Sequence, residues 1–381
     1  MTTDLTAELE FFQENLDRFI VAEVLPYYEQ WEKDEIFPRS LWNKLGEQGF
    51  LAVEIPEEYG GAGASFMFSA LVLERFFYHN CSSIGSALQV HNDIVPHYVL
   101  RYGTEAQKQH YLPKMVSGEC IGAIGMSEPA AGSDLQGLKM RAREAADGFV
   151  INGSKIFITN GQHCDLIALA ARTNTGVKGS KGTSVFLFDC ETPGFKRGRN
   201  LEKIGLHASD TSELFFEDCL VPASAMLGQV DQGFSILMGE LQRERLAIAV
   251  SAIGAAEGVL EQAISYVKER EAFGQTIADF QNTKFTIAEI ATEVKLNRAY
   301  IEQCKRQFMN DELSVADASM AKYASTDMQY RVADRCLQLH GGYGYIKEYG
   351  VSRAYLDARV QRIYGGTNEI MKEIIGRDVL K

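Results

Sequence analysis

The sequence predicts an α+β fold of three consecutive units: a helical zone over residues 1–120, an antiparallel β zone over 121–233 and a four-helix-like bundle over 234–381. Three observations predict it. Near the start, Leu9, Phe12, Leu16, Phe19 and Ile20 recur at helical spacing, and long stretches of the last third repeat that pattern. Between them the texture shortens to brief apolar runs punctuated by Asn-Gly dipeptides. These strands follow one another without intervening helices, which implies antiparallel neighbours.

In order along the chain, Leu41, Leu45 and Phe50 continue the first zone, and Tyr59-Gly60-Gly61-Ala62-Gly63 breaks it. Helices are predicted over 65–78 and 105–116. In the middle zone Phe149-Val150-Ile151 runs into Asn152-Gly153, and the segment Lys155 to Thr159 runs into Asn160-Gly161. Both dipeptides read as turns. Val185 to Phe188 is an unbroken apolar run, a buried strand, and Glu213 to Glu217 reads as another. The last zone predicts helices over 236–270, 277–309 and 317–339, then a glycine interruption at Gly341-Gly342-Tyr343-Gly344 and a closing helix over 368–380.

Composition narrows the function. The chain of 381 residues carries 38 Lys and Arg against 51 Asp and Glu, a net −13, which argues against a general affinity for nucleic acid or anionic lipid. A local basic site for one anionic ligand remains compatible. Seven cysteines (Cys81, Cys120, Cys164, Cys190, Cys219, Cys304 and Cys336) stand singly, which fits a reducing compartment better than a disulfide scaffold or zinc site. The first residues lack the basic-then-apolar order of a signal peptide, so a cytoplasmic location is expected. No apolar run approaches the roughly 18 residues of a membrane span, so no insertion is expected. The histidines, His91 and His340 among them, lack ligand spacing, and no metal is expected.

Five motifs stand out. They are Met126-Ser127-Glu128-Pro129-Ala130-Ala131-Gly132-Ser133-Asp134; Gly153-x-Lys155-x-x-Ile158-Thr159-Asn160-Gly161; Arg270-Glu271-Ala272-Phe273-Gly274; Leu339-His340-Gly341-Gly342-Tyr343-Gly344; and Ile363-Tyr364-Gly365-Gly366-Thr367-Asn368-Glu369. In this order and content the chain resembles the acyl-CoA dehydrogenases over nearly its whole length, nearest to the long-chain type and next to the isovaleryl type. Any single motif can arise by chance; all in the family order are specific.

The resemblance implies a fold of N-terminal helices, a middle β domain and a C-terminal helical bundle, with FAD extended between the last two. No Gly-x-Gly-x-x-Gly opens a βαβ unit, so the nucleotide must be held otherwise. By resemblance, Met126 and Ser127 meet the flavin's pyrimidine edge, Thr159 bonds near its N5, and Ser133 meets the pyrophosphate or the substrate. Phe157 stands where many members have tryptophan; it stacks near the flavin without an indole N–H. Arg270, Phe273 and Gln281, with Gln338, Leu339, Gly341 and Gly342, would contact the FAD of a neighbouring subunit. That requires at least a dimer, and the family suggests a homotetramer. Thr367, Asn368 and Glu369 open the last helix, whose N-terminal amides favour the FAD diphosphate. Plainer readings stand beside these: a hairpin turn for Asn160-Gly161, a solvated arginine for Arg270, a helix stop for Gly341-Gly342.

The implied reaction is α,β-dehydrogenation of an acyl-CoA to its trans-2-enoyl-CoA, with electrons passed to an electron-transfer flavoprotein. It needs a carboxylate for the α-proton and hydrogen bonds to the thioester oxygen. Most members carry the base after the motif tyrosine, where this chain has Gly365. The subgroup with the long-chain and isovaleryl enzymes places a glutamate on a central helix, and Glu244 matches that position, followed by Arg245. Glu244, Ile248, Ser251 and Ala255 share one helical face. Glu240, one turn earlier, is the nearest rival. Gly365 would leave room opposite the base while its N–H bonds the thioester. Ser133, Gln242, Arg243, Arg245, Tyr364 and Gly366 complete the implied substrate contacts. The motif favours a medium-to-long, or branched, acyl chain. An acyl-CoA oxidase, a non-catalytic FAD and acyl-CoA-binding subunit, and a repurposed member acting in desulfination or nitroalkane oxidation are the alternatives.

Overall fold

The computed structural model describes residues 3–381. Seven helices come first: α1 (Thr3–Phe19), α2 (Leu25–Asp34), α3 (Ser40–Glu47), α4 (Phe66–Tyr78), α5 (Ser82–Leu88), α6 (Val95–Tyr102) and α7 (Glu105–Ser117). Thr104 caps α7 through a reciprocal bond pair with Gln107, which satisfies donors that the helix start leaves free. Two π-helical turns, Ile20–Val24 and Gln89–Ile94, each precede a helix with proline in its first turn, Pro26 and Pro96. A proline there lacks the N–H that would continue the α ladder, so the preceding turn widens. The second π turn turns Asn92 and Asp93 inward, where they bond Ala52 N, Phe50 O and Ser69.

The middle region holds β1 (Gly122–Gly125), β2 (Arg141–Ala145), β3 (Gly148–Thr159), β4 (Leu166–Arg172), β5 (Thr183–Asp189), β6 (Phe195–Asn200), β7 (Thr211–Pro222) and β8 (Met226–Leu227). They form one sheet in the order β6-β7-β3-β2-β4-β5-β8, with β1 beside β4. The sheet is mixed, not wholly antiparallel as the sequence suggests: β1 runs parallel to β4, and β2 meets β4 in a single parallel pair. The chain leaves β1, forms β2 and β3, and returns as β4 in the same direction, so these two strands serve as the crossover that parallel neighbours require.

Two turn expectations are corrected. Asn152-Gly153 does not end a strand: β3 continues through a bulge at Ile151/Gly153 and pairs with β7 along its whole length. Asn160-Gly161 does turn, with Asn160 at φ 63°, but β3 and β4 do not pair, so it is no hairpin. The Asn160 amide instead bonds Ala87 O and Gly122 O, tying the sheet to α5.

The last region contains α8 (Gly233–Gly239), α9 (Leu241–Glu269), a small β9–β10 hairpin (Glu271–Ala272, Gln275–Thr276), α10 (Gln281–Met309), α11 (Val315–His340), α12 (Gly350–Gln361) and α13 (Asn368–Val379). The single helix expected over 236–270 is broken at Glu240, the residue between α8 and α9. Gly233–Glu269 is also apolar enough to cross a membrane, against the expectation of no such stretch; 78% of its most apolar window is buried within the protein. Its apolar surface is core: α9 packs on α4, α10 and α11 through Leu246, Val250, Ile253 and Val259. Gly254 and Gly258 permit this, because a Cβ at either would strike the backbone of Glu74 or Tyr78 on α4. All seven cysteines are buried and free.

Candidate active site

Glu244 stands in the first turn of α9 and is buried. The helix N-terminus favours its ionised form, but burial opposes this more strongly. The carboxyl is raised to about 7: loss of water is the largest cause, Glu240 adds to it, and a 2.7 Å hydrogen bond from Tyr98 Oη on α6 opposes it, as do Arg245 and Arg243. No cation touches the Glu244 carboxylate among the described residues. The rival Glu240 is also buried, but it is held by Tyr102 Oη at 2.9 Å and Arg101 Nη1 at 3.2 Å.

One turn beyond Glu244, Ile248 faces Gly365. Gly365 has φ +63° and Gly366 φ +90°, conformations that glycine adopts freely. A Cβ at Gly365 would collide with Ile248 Cδ1, so the turn closely approaches the face of α9 that carries Glu244. The N–H groups of Gly365, Gly366 and Thr367 have no acceptor among the described residues. The structure thus brings together the glutamate and the glycine turn that lacks a side chain. Tyr364 Oη is buried beside this turn without a partner among the described residues.

Other expected substrate contacts are placed differently. Arg243 is directed to the N-terminal helices, where it pairs with Asp93 at 3.1 Å and with Glu54. Gln242 donates to Leu313 O at 2.8 Å, fastening α9 to the segment before α11. Arg245 is buried and reaches Ser319 Oγ on α11 at 3.3 Å, while its Nε has no partner. Ser133 lies exposed in the loop after β1.

The sheet-side residues form a second group. Lys155 Nζ, fully enclosed, donates to Met126 O at 3.0 Å and to Glu128 Oε1 at 2.9 Å, and Ser127 O accepts from Ile156 N. The Ser127 N–H is left without an acceptor among the described residues. A second bulge, between Lys155 and Ile158, puts Phe157 at φ +61° and turns its ring outward, 66% exposed, beside the half-buried Thr159.

A third group lines a surface groove of about 540 Å³ formed by Tyr266, Arg270, Gln338, Leu339, Gly341, Gly342 and neighbours. No β-sheet residue lines it. Arg270 lies over the Tyr343 ring at 5.3 Å, and nothing stands near a Cβ at Gly341 or Gly342, so a ligand can approach that backbone closely. Phe273, at φ +55°, is 97% exposed, and Gln281 begins α10. Thr367 caps α13 by accepting from Ile370 N, Asn368 is buried and Glu369 exposed.

Sequence reasoning missed Tyr98 and the buried Lys322, and gave the motif residue Lys155 no role. His91 is a core residue: Nε2 bonds Met115 O, Nδ1 accepts from Gly122 N, and burial lowers it to about 4. Among the described residues no cluster suits a metal.

Three family models match the chain: "Acyl-CoA dehydrogenase, N-terminal domain" over residues 6–119, the "middle domain" over 123–219 and the "C-terminal domain" over 231–380. The long-chain specific acyl-CoA dehydrogenase of Sus scrofa is 46% identical over 98% of this chain and 87% of its own length. The isovaleryl-CoA dehydrogenase of Solanum tuberosum is 35% identical over 97% and 90%. A crystal structure of an acyl-CoA dehydrogenase from Geobacillus kaustophilus superposes with a TM-score of 0.94 at 46% identity, covering 98% of both chains. Helices, sheet and helices in this order, with matches spanning nearly every residue, make this chain a member of the acyl-CoA dehydrogenase family, oxidoreductases acting on CH–CH bonds.

Proposed function

We propose that the chain dehydrogenates a medium-to-long or branched acyl-CoA to its trans-2-enoyl-CoA, with Glu244 as the base for the α-proton. The observation that carries this reading is a buried glutamate raised to about 7 on the helix face against which the side-chain-free Gly365 turn lies. A base poised near the working pH removes a weakly acidic proton most effectively. The free amides of the turn would bond the thioester oxygen and stabilise the charge that develops there as the proton leaves. The greater identity to the long-chain relative than to the isovaleryl one supports a longer acyl chain.

The cofactor is FAD, which when bound supplies the acceptor for the β-hydride. The residues fit it. Ser127 offers a free N–H, Phe157 an outward ring, and Thr159 a hydroxyl on the same bulged strand. Arg270, Gln338, Leu339, Gly341 and Gly342 line a groove whose arginine suits a diphosphate, with Phe273 and Gln281 at its approach. Because that groove contains no β-sheet residue, these residues would serve the FAD of a second copy. Exposed Phe273, Phe285 and Leu296 support a subunit interface there, in a homotetramer. Electrons would pass on to an electron-transfer flavoprotein.

Glu244→Gln should retain FAD and acyl-CoA binding while turnover falls about 10²–10⁴-fold. Anaerobic titration with acyl-CoAs of graded length reads this directly: wild type bleaches its flavin band, fastest at the preferred length, and the variant does not. Retention of most activity would remove the base assignment; a wild-type band that shifts but never bleaches would favour the binding-subunit alternative.

A further inference from the structure

We propose that Lys322 of α11 is a positioning residue for the thioester, holding the glycine turn so that its amides face the thioester oxygen. The inference rests on the reading that this turn meets the thioester. Lys322 is fully buried and donates to Gly366 O at 2.8 Å and to Asn368 Oδ1 at 2.9 Å. In a planar trans peptide the carbonyl and the following N–H point in opposite directions. Fixing the Gly366 carbonyl toward Lys322 therefore turns the Thr367 N–H away from it. Two adjacent glycines have no side chains to hold their own conformation, so the turn needs an outside anchor.

The anchor is itself braced. Asn368 donates to Thr326 Oγ1 at 3.0 Å and to Asp327 Oδ1 at 2.9 Å, both on α11. One turn before Lys322, Ser319 accepts from Arg245, the neighbour of Glu244 on α9. A single face of α11, carrying Ser319, Lys322 and Thr326, thus ties the helix of the base to the turn opposite it. Among the described residues no carboxylate touches the ammonium; burial first, then Arg245, lowers Lys322 to about 7, with Asp327 and Glu369 opposing. An apolar side chain of similar length would avoid this desolvation, so the lysine is retained for the bonds it makes.

The test uses the FAD-loaded enzyme with trans-2-enoyl-CoA carrying ¹³C at the thioester carbonyl, a product that does not turn over. In wild type the bound carbonyl stretch should move to lower frequency than in solution. Lys322→Met should lose most of that shift and lower kcat on the order of 10–100-fold, with KM changed far less. Lys322→Gln, which keeps two donors but on a planar amide one atom shorter, should fall between. If wild type has no carbonyl shift, the reading of the turn fails and this inference with it. If wild type shifts and Lys322→Met keeps both shift and kcat, the lysine inference alone is overturned. A lower melting temperature with an unchanged carbonyl band overturns it too, as a merely structural role would give. Should Lys322→Met not fold, Lys322→Gln decides: wild-type shift and kcat overturn the inference, partial loss of both supports it.

Discussion

Glu128 and Glu244 are equally buried, 6% exposed each, and the protein treats them in opposite ways. Glu128, beside the sheet, accepts from Lys155 Nζ at 2.9 Å, Lys139 N at 2.6 Å and Met140 N at 3.1 Å. Its charge is matched and its lone pairs are filled, so it holds the loop after β1 against β3. Glu244 accepts one bond, from a neutral phenol. The flanking arginines are directed elsewhere, Arg243 to Glu54 and Asp93, Arg245 to Ser319. The difference teaches that burial alone does not make a base. Burial with the counter-charge withheld does, because the carboxylate then keeps its affinity for a proton.

Breaking the first half of this comparison should cost the most. Lys155→Met leaves Glu128 charged and enclosed without its cation, and removes the donor to Met126 O. We expect a loss of about 3–5 kcal/mol, the usual penalty for stranding a buried charge. Adding Glu128→Gln should recover part of it, because the stranded charge is then gone. Thermal or urea melts of the two variants check this; equal stability of the single and double variants would mean that the pair holds little energy.

The second glutamate should answer with the opposite sign. A carboxyl raised to about 7 in the fold, above its ordinary 4.5, makes the native state bind protons more tightly than the unfolded chain. Native stability therefore falls as pH rises from 4.5 through 7, and the full cost is present above 7. Glu244→Gln removes that cost. It should stabilise the protein by about 3 kcal/mol at pH 8, with the gain shrinking below pH 7 and vanishing near pH 4.5. Melting curves at pH 5 and pH 8 measure it; a variant no more stable at pH 8 than wild type would contradict the withheld counter-charge.

How much of this was legible in the sequence follows from the range of each interaction. Periodicity within a segment revealed the helices and the buried strand at Val185 to Phe188, now within β5. The absence of a side chain at Gly365 pointed to Glu244, and the collision a Cβ would make with Ile248 puts the two on one face. Long-range partners were hidden. Asn152-Gly153 has the composition of a turn, and only pairing with β7 makes it a bulge. At the α8–α9 break, Glu240 accepts bonds from Arg101 and Tyr102, which no local pattern records. Lys322 reads as an ordinary helix lysine until the turn folds over it. Arg243, a substrate contact by resemblance, adjoins Glu244, but successive helix residues point about 100° apart, and its pairing with Glu54 and Asp93 is a long-range feature that the sequence does not record.

Tyr98 is the clearest such omission, 146 residues from Glu244 in sequence and 2.7 Å away in space. It gives the finest test of the comparison. Among the described residues its hydroxyl is the one direct donor to the base, so Tyr98→Phe should raise the Glu244 carboxyl beyond about 7. A hydrogen bond to a charged group contributes about 1.5–3 kcal/mol, which corresponds to a shift of roughly one unit or somewhat more. The remaining groups around Glu244 cannot compensate: Glu240 pushes the same way, and Arg243 and Arg245 already act in wild type. The acid limb of kcat should therefore move to higher pH, with turnover down about tenfold at pH 6 and nearly restored at pH 9. If Tyr98 only filled space, its loss would lower kcat by the same factor at every pH. A limb that moves while the high-pH plateau stays places Tyr98 in control of the base's proton affinity.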